Sequence, residues 1–300
     1  MSANELTREE SRCLDRPDGA RITYGIVRGG GAAPRPLLAL AHGMGSNRTR
    51  WSEFFEQTSL KSSWNLLRFD LRGHGESPWR GRTGMEIWCD DLAAILDAEH
   101  CARAVLGGHC LGANFALQFA HRKPGRTRGL VLIEPMPPAA DTGVMRRLQP
   151  AAPVLALAAS AIRALNALGL HRRRLETLDL KALDAATRAA MAAQDSARPM
   201  TRVYASPLFD LRYMTTAAYV QDLLEVWRPF PALDAIAAPV LALVCAGNHF
   251  SDAAIVERHL AALPRLSLRR IEALHWIPTE KPTQMGEAIE QWCANLREPL

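Results

Sequence analysis

The run RAVLGGHCLGANFALQFAH, residues 103–121, passes from a short apolar stretch into a pattern of helical period with no loop between them. Its first part reads as a buried strand, and after Leu111 the apolar positions recur at three- and four-residue spacing, as on the inner face of a helix. A reversal this abrupt needs small residues where strand and helix nearly touch. Gly108 and Gly112 stand two positions either side of Cys110 and meet that need. The apex residue is then held in a strained turn above a helix N-terminus, and here it is a cysteine. Three readings of Cys110 are open: a working nucleophile, a small buried residue, or a relic in a protein that has lost its chemistry.

The rest of the chain narrows the fold. PLLALAHG (36–43), NLLRFDLRG (65–73), GLVLIEP (129–135) and APVLALVCAG (238–247) are short apolar runs bounded by turn signals, with helix-like stretches between. Such runs read as buried parallel strands of an α/β sheet. CLDRPDGARITYGIV reads as a hairpin turning at Pro17 to Gly19, an antiparallel edge of the same sheet. From about residue 137 to 236 the texture changes to Ala, Leu and Arg at helical spacing. This divides the chain into a first core part (1–136), a helical lid (137–236) and a second core part (237–300).

Composition excludes several classes. A chain of 300 residues with 48% hydrophobic content supports a sizeable core, so global disorder is not expected. The start MSANELTREESRCLD has no apolar stretch of the export-signal kind, and no run of some 18 uninterrupted apolar residues follows, so a cytoplasmic chain without a membrane span is expected. Six cysteines show neither a C-x-x-C pair nor zinc spacing, so no disulfide framework or metal is expected. The net charge of +5 comes mainly from dispersed arginines. The one run, Arg172 to Arg174, reads as a solvated helix face more readily than as a phosphate site, and no nucleic-acid partner is expected.

Taken with the Gly-x-Cys-x-Gly turn, AHGMGSNRTRW (41–51), FDLRGHGESP (69–78) and ALHWIPTEKP (273–282) make the chain resemble the lid-bearing α/β-hydrolases, a group that includes esterases, haloalkane dehalogenases and epoxide hydrolases. The resemblance implies an α/β-hydrolase fold: a mostly parallel eight-stranded sheet flanked by helices, with an inserted helical lid. It implies Cys110 as nucleophile, His275 as general base, and the backbone N–H groups of Met44 and Leu111 as oxyanion hole. His74 and Arg72 fall in a segment whose family role is mainly structural. The acid departs from the pattern, because the usual position holds Phe250. Glu134, at a strand end, and Asp252, which also reads as a helix start, remain the candidates, with Glu134 favoured.

A cysteine at the apex removes alkyl-ester chemistry, which needs a carboxylate there. Attack on an acyl carbon stays feasible, because a helix N-terminus and an imidazole lower a thiol pKa. The expected activity is hydrolysis of an ester or thioester without cofactor. Three alternatives stand beside it: acyl transfer or cyclisation, a non-catalytic ligand receptor, and a serine enzyme whose nucleophile has been replaced. Tyr204, Phe209, Tyr213 and Trp227 in the lid suggest a fairly hydrophobic acyl substrate. The acyl group, the acceptor and the oligomeric state are not readable.

Overall fold

A computed structural model describes residues 8–29, 35–194, 196, 198–247 and 250–296. The first seven residues of the polar start, part of the basis for expecting a cytoplasmic chain, lie outside them. Eight strands are present: β1 (Glu10–Asp15), β2 (Arg21–Val27), β3 (Leu37–Ala41), β4 (Asn65–Phe69), β5 (Ala104–His109), β6 (Thr127–Ile133), β7 (Val240–Cys245) and β8 (Leu266–Ile271). They form one sheet in the order β1-β2-β4-β3-β5-β6-β7-β8. The sheet is mixed rather than parallel throughout. β2 runs antiparallel to both β1 and β4, and every other neighbouring pair is parallel. The β1–β2 hairpin closes through Arg16 N–H donating to the Ala20 carbonyl (2.8 Å), with Gly19 at φ 84°.

Helices cover both faces. α1 (Ser52–Gln57) follows β3, α2 (Met85–Ala98) follows β4 and α3 (Leu111–Arg122) follows β5. Between β6 and β7 the described residues hold no strand of the sheet. They carry α4 (Gly143–Leu148), α5 (Ala152–Ala167), α6 (Leu180–Gln194), α7 (Arg198–Tyr204), α8 (Pro207–Asp210) and α9 (Thr216–Val226). α10 (Ala253–Leu260) joins β7 to β8, and α11 (Ile277–Glu280) and α12 (Pro282–Ala294) close the chain.

The strand alternation sorts side chains into two cores. Leu130 and Leu132 of β6 pack with Trp88, Leu92, Phe115 and Phe119 of α2 and α3, whereas Val131 and Ile133 pack on the opposite face with Trp51, Phe54 and Ile289. This explains why β3, β5, β6 and β7 are buried along their whole length and read as unbroken apolar runs. The edge strand β1 is instead exposed at Glu10, Ser11, Cys13 and Asp15. Arg12 there pairs with Glu10 (2.5 Å), which blunts the unpaired edge.

β3, β5 and α3 approach so closely that side chains are excluded. A Cβ on Gly108 would lie 2.3 Å from the Gly112 backbone, and one on Gly112 would lie 2.5 Å from the Ala41 carbonyl oxygen. Both neighbours are main chain and cannot turn aside. Gly108→Ala is therefore expected to lose about 1–3 kcal/mol or more of unfolding free energy. Gly125→Ala, where a Cβ meets nothing within 4 Å, is expected to change stability by less than about 1 kcal/mol. Urea unfolding of the two variants beside the parent checks the contrast, and equal destabilisation would disprove the close-contact explanation.

Candidate active site

Cys110 leaves the end of β5 at φ 54°, ψ −115°, a conformation that L-residues rarely adopt. Only three non-glycine residues among those described have positive φ, and two of them, Cys110 and Glu134, flank the same imidazole. Backbone strain of this kind costs on the order of 1–3 kcal/mol and persists only where the surroundings over-determine it. Here the determinants are visible: Cys110 N–H donates to Ile133 O (2.9 Å), and its carbonyl accepts from Ala113 and Asn114 at 2.9 and 3.1 Å. The side chain is left above the start of α3. As the first residue of that helix, Leu111 has an N–H without an intrahelical acceptor.

His275 lies in the loop between β8 and α11 and is buried. Glu280 fixes this loop, since its carboxylate accepts from the backbone N–H groups of Leu274 (3.0 Å), His275 (3.2 Å) and Trp276 (2.9 Å). His275 Nδ1 donates to Glu134 Oε2 at 3.3 Å, while Glu134 Oε1 accepts from Cys245 N–H. With Nδ1 engaged, Nε2 is the nitrogen left to face Cys110. Burial alone would lower the pKa of this imidazole. Cys110 on one side and Glu134 on the other overcome that and raise it to about 9. Phe250 stands edge-on to the ring at 5.0 Å. His109 Nε2–H donates to the His275 carbonyl (3.0 Å), and burial beside His275 and Arg50 holds the His109 pKa well below the usual range.

The loop after β3 closes against this turn. His42 Nδ1–H donates to Gly43 O (2.8 Å) and its Nε2 accepts from Leu71 N–H (3.1 Å), so a neutral buried ring fastens the loop to the end of β4. Gly43 then approaches so closely that a Cβ there would lie 3.4 Å from the Cys110 Cβ. Met44 follows and lines, with Cys110 and His275, a cavity of about 240 Å³. The inserted helices supply Met145, Tyr204, Tyr219 and Leu223 to its wall. Of the expected aromatic residues only Tyr204 reaches the cavity. Trp227 is buried elsewhere, and Phe209 and Tyr213 face each other at 5.1 Å.

Asp252 does not meet the imidazole. It caps α10, accepting from Ala254 N–H (2.9 Å) and Ile255 N–H (3.2 Å), so its helix-start reading describes its place. Residues 248 and 249, beside the usual acid position, lie outside the described residues. Arg72 pairs with buried Asp91 (2.6 Å), and His74 Nε2 meets Asp222 of α9 at 2.7 Å, so neither faces Cys110. Four contributors went unread in the sequence. Asn114 holds Met136 by both backbone groups (2.9 and 3.0 Å), and Met136 Sδ sits 3.4 Å from Cys110 Sγ. Arg50 pairs with Asp184 of α6 at 2.6 Å with both side chains buried, binding the insertion to the core. Asn114 lies four residues after Cys110 on the same helix, which was a usable signal. The Arg50–Asp184 pair spans 134 residues and left none.

A second cavity, of about 300 Å³, adjoins the first. Gly45, Ser46 and Asp210 line both. Burial, reinforced by nearby Asp222, pushes the Asp210 carboxyl up to about 8 against the opposing pull of His74.

Comparison with known proteins accords with this architecture. A Saccharomyces cerevisiae protein named "Probable alcohol acetyltransferase" is 23% identical over 295 residues, covering 89% of this chain and 82% of its own length. The sn-1-specific diacylglycerol lipase ABHD11 of Danio rerio is 25% identical over 134 residues, which is 45% of this chain and 42% of that protein. Among solved structures, a hydrolase from Pseudomonas aeruginosa PA01 superposes with a TM-score of 0.66 at 23% identity, covering 95% of this chain and 98% of that one. E-2-(Acetamidomethylene)succinate hydrolase superposes equally well, with a TM-score of 0.66 at 19% identity over 96% of this chain and all of that one. The sequence profile that describes the alpha/beta hydrolase family matches residues 38–288, and with the sheet and turn described above this chain belongs to that family.

Proposed function

We propose that the protein hydrolyses an ester or thioester through an acyl-cysteine at Cys110, with His275 as proton carrier and Glu134 as the acid that orients it. The observation that carries this reading is the imidazole of His275 standing between the Cys110 thiol and the Glu134 carboxylate in a mostly apolar cavity. The raised pKa of His275 keeps a proton on the imidazole at neutral pH. Sγ attacks the carbonyl carbon, and the oxyanion is received by the N–H groups of Met44 and Leu111. The imidazolium then gives its proton to the departing alkoxide or thiolate, and the acyl group remains as a thioester. With the sulfur acylated, one of the two groups that raise the His275 pKa is gone. The neutral ring is then suited to take a proton from water, and the hydroxide releases the acid and restores the thiolate.

Acyl transfer is the second reading. The adjoining cavity favours it, because a chamber sharing Gly45, Ser46 and Asp210 with the acyl cavity offers room for an acceptor alcohol, amine or thiol. The resemblance to the yeast acetyltransferase points the same way. The helices between β6 and β7 act as the lid in both readings, and their apolar wall suits a hydrophobic acyl group.

Four variants test the assignment against p-nitrophenyl esters and acyl thioesters, with the intact mass recorded in parallel. Cys110→Ala is expected to lose the acyl adduct and at least roughly a thousandfold in kcat/KM. Glu134→Gln is expected to lose about 10²- to 10⁴-fold. Asp252→Asn is expected to stay within about twofold of the parent and to lose at most about 1 kcal/mol of stability as a weakened cap. An adduct that persists in Cys110→Ala would overturn the nucleophile, and higher activity in Cys110→Ser would identify a replaced serine. No adduct and no product with any substrate would favour the receptor. Acyl-enzyme decay accelerated by added alcohol or amine would select transfer.

The pH dependence has a definite sign. Because the His275 pKa is raised, the imidazolium that protonates the leaving group persists at neutral pH and is lost as pH rises through about 9. The alkaline limb of the acylation rate is expected there. In Glu134→Gln one raising partner is removed, so that limb should move to lower pH. Imidazole carbon NMR of Cys110→Ala should likewise show a His275 pKa below that of the parent, and an unchanged value would refute the thiolate–imidazolium pair.

A further inference from the structure

Every large apolar side chain that is exposed among the described residues falls between Val144 and Leu208, in the segment inserted after β6. The concentration is greatest on α5. Val154, Leu157 and Leu168 are 68%, 72% and 76% exposed, with exposed Ala161 and Ala164 between them, so spacings of three and four residues place them on one outward stripe. The inner side of α5 packs on α9, and Ala159 is fully buried there. Monomeric proteins rarely leave so continuous an apolar face uncovered.

Charge says what covers it. Between Asp141 and Glu176 the chain holds six arginines, 146, 147, 163, 172, 173 and 174, and no acid. Arg163 and Arg172 donate to uncharged oxygens, and no carboxylate pairs with any of the six among the described residues. The arginines stand mostly at the two ends of the stripe. Pairing two copies through this face would set arginines in the same acid-free surroundings as their counterparts and would repel. An anionic lipid surface offers the complementary arrangement, with acyl chains for the stripe and phosphates for the guanidiniums at its ends.

We propose that α4, α5 and the arginine run that follows form a docking surface for an anionic lipid bilayer. Residues Gly143–Ala167 have the length and composition of a membrane-crossing segment. The seating of α5 on α9 instead fits a helix that lies along the interface with only its outer face immersed. Val144 and Leu148 of α4, 59% and 42% exposed, also line the cavity beside Cys110, so the proposed surface includes part of the cavity wall. On the proposed acyl chemistry, a substrate dissolved in the lipid reaches the thiol without crossing water.

Flotation of the full chain with vesicles of phosphatidylcholine, with and without phosphatidylglycerol, tests the surface. The parent is expected to float with the anionic vesicles, to bind the neutral ones more weakly and to be released by salt. Leu157→Glu and Leu168→Glu, both exposed and outside the cavity, should each lower the partition coefficient roughly tenfold or more while circular dichroism stays unchanged. R173E/R174E should lower it to a similar degree on anionic vesicles alone. Cys110→Ala should float as the parent does, so the surface and the chemistry can fail separately. Absence of flotation at low salt, flotation undiminished in Leu157→Glu, or a lipid-free dimer that Leu157→Glu dissolves would each overturn the proposal, the last in favour of a second copy.

Discussion

β5 and α3 meet at a turn with no room for side chains, and the geometry around Cys110 follows from that contact. Gly108 lies against Gly112, and Gly112 against the main chain of β3, so the helix is drawn onto the sheet at the level where Cys110 reverses direction. The reversal places the thiol over the first turn of α3 and leaves the Leu111 N–H pointing the same way. It also brings Cys110 beside the end of β6, where Glu134 adopts a second left-handed conformation and turns its carboxylate toward His275. Tight backbone packing in the core is thereby converted into the mutual position of Cys110, Glu134 and His275, three side chains on different elements. Such precision is easier to hold on strand ends than on free loops.

The electrostatics depend on the same burial. An isolated imidazole in this place would be neutral, as its neighbour His109 is. His275 differs because Cys110 and Glu134 stand on either side of its ring and raise its pKa against the effect of burial, and a low-dielectric setting strengthens both interactions. Glu134 is in turn held by the Cys245 N–H, and the backbone around His275 by Glu280. The ring is thus fixed in tautomer and in orientation by groups at some remove from the cavity.

Much of this was legible in the sequence because it rests on local signals. Runs of apolar residues announce buried strands, Asp-Gly announces the hairpin, and paired glycines announce the tight reversal. The antiparallel pairing of β2 with β4 was less legible, since it depends on which strand lies beside which rather than on any residue in either. The choice between Glu134 and Asp252 stayed open for a similar reason. Both stand near strand ends, and only the fold shows one reaching the imidazole while the other is occupied by two backbone N–H groups of α10. The exposed stripe on α5 was invisible as such, because an amphipathic pattern does not say whether its apolar side faces the protein. The arginine run beside it read as an ordinary solvated surface until its lack of acidic partners could be seen in three dimensions.

The buried ion pairs between the insertion and the core divide the insertion into parts with different freedom. Asp184 of α6 is held by Arg50, with Tyr204 of α7 donating to the same carboxylate, and Asp222 of α9 is held by His74. Separating Arg50 from Asp184 would strand a charge in a dry setting, at a cost of several kcal/mol, and separating His74 from Asp222 would leave buried polar groups without partners. α4 and α5 have no such mooring among the described residues. α5 rests instead on α9 and on hydrogen bonds to neutral partners, Arg163 to the Gln221 side chain and Asn166 to the Arg80 carbonyl. The insertion is thus fastened to the core by buried polar pairs at α6 and α9, and α5 shares in them only by way of α9.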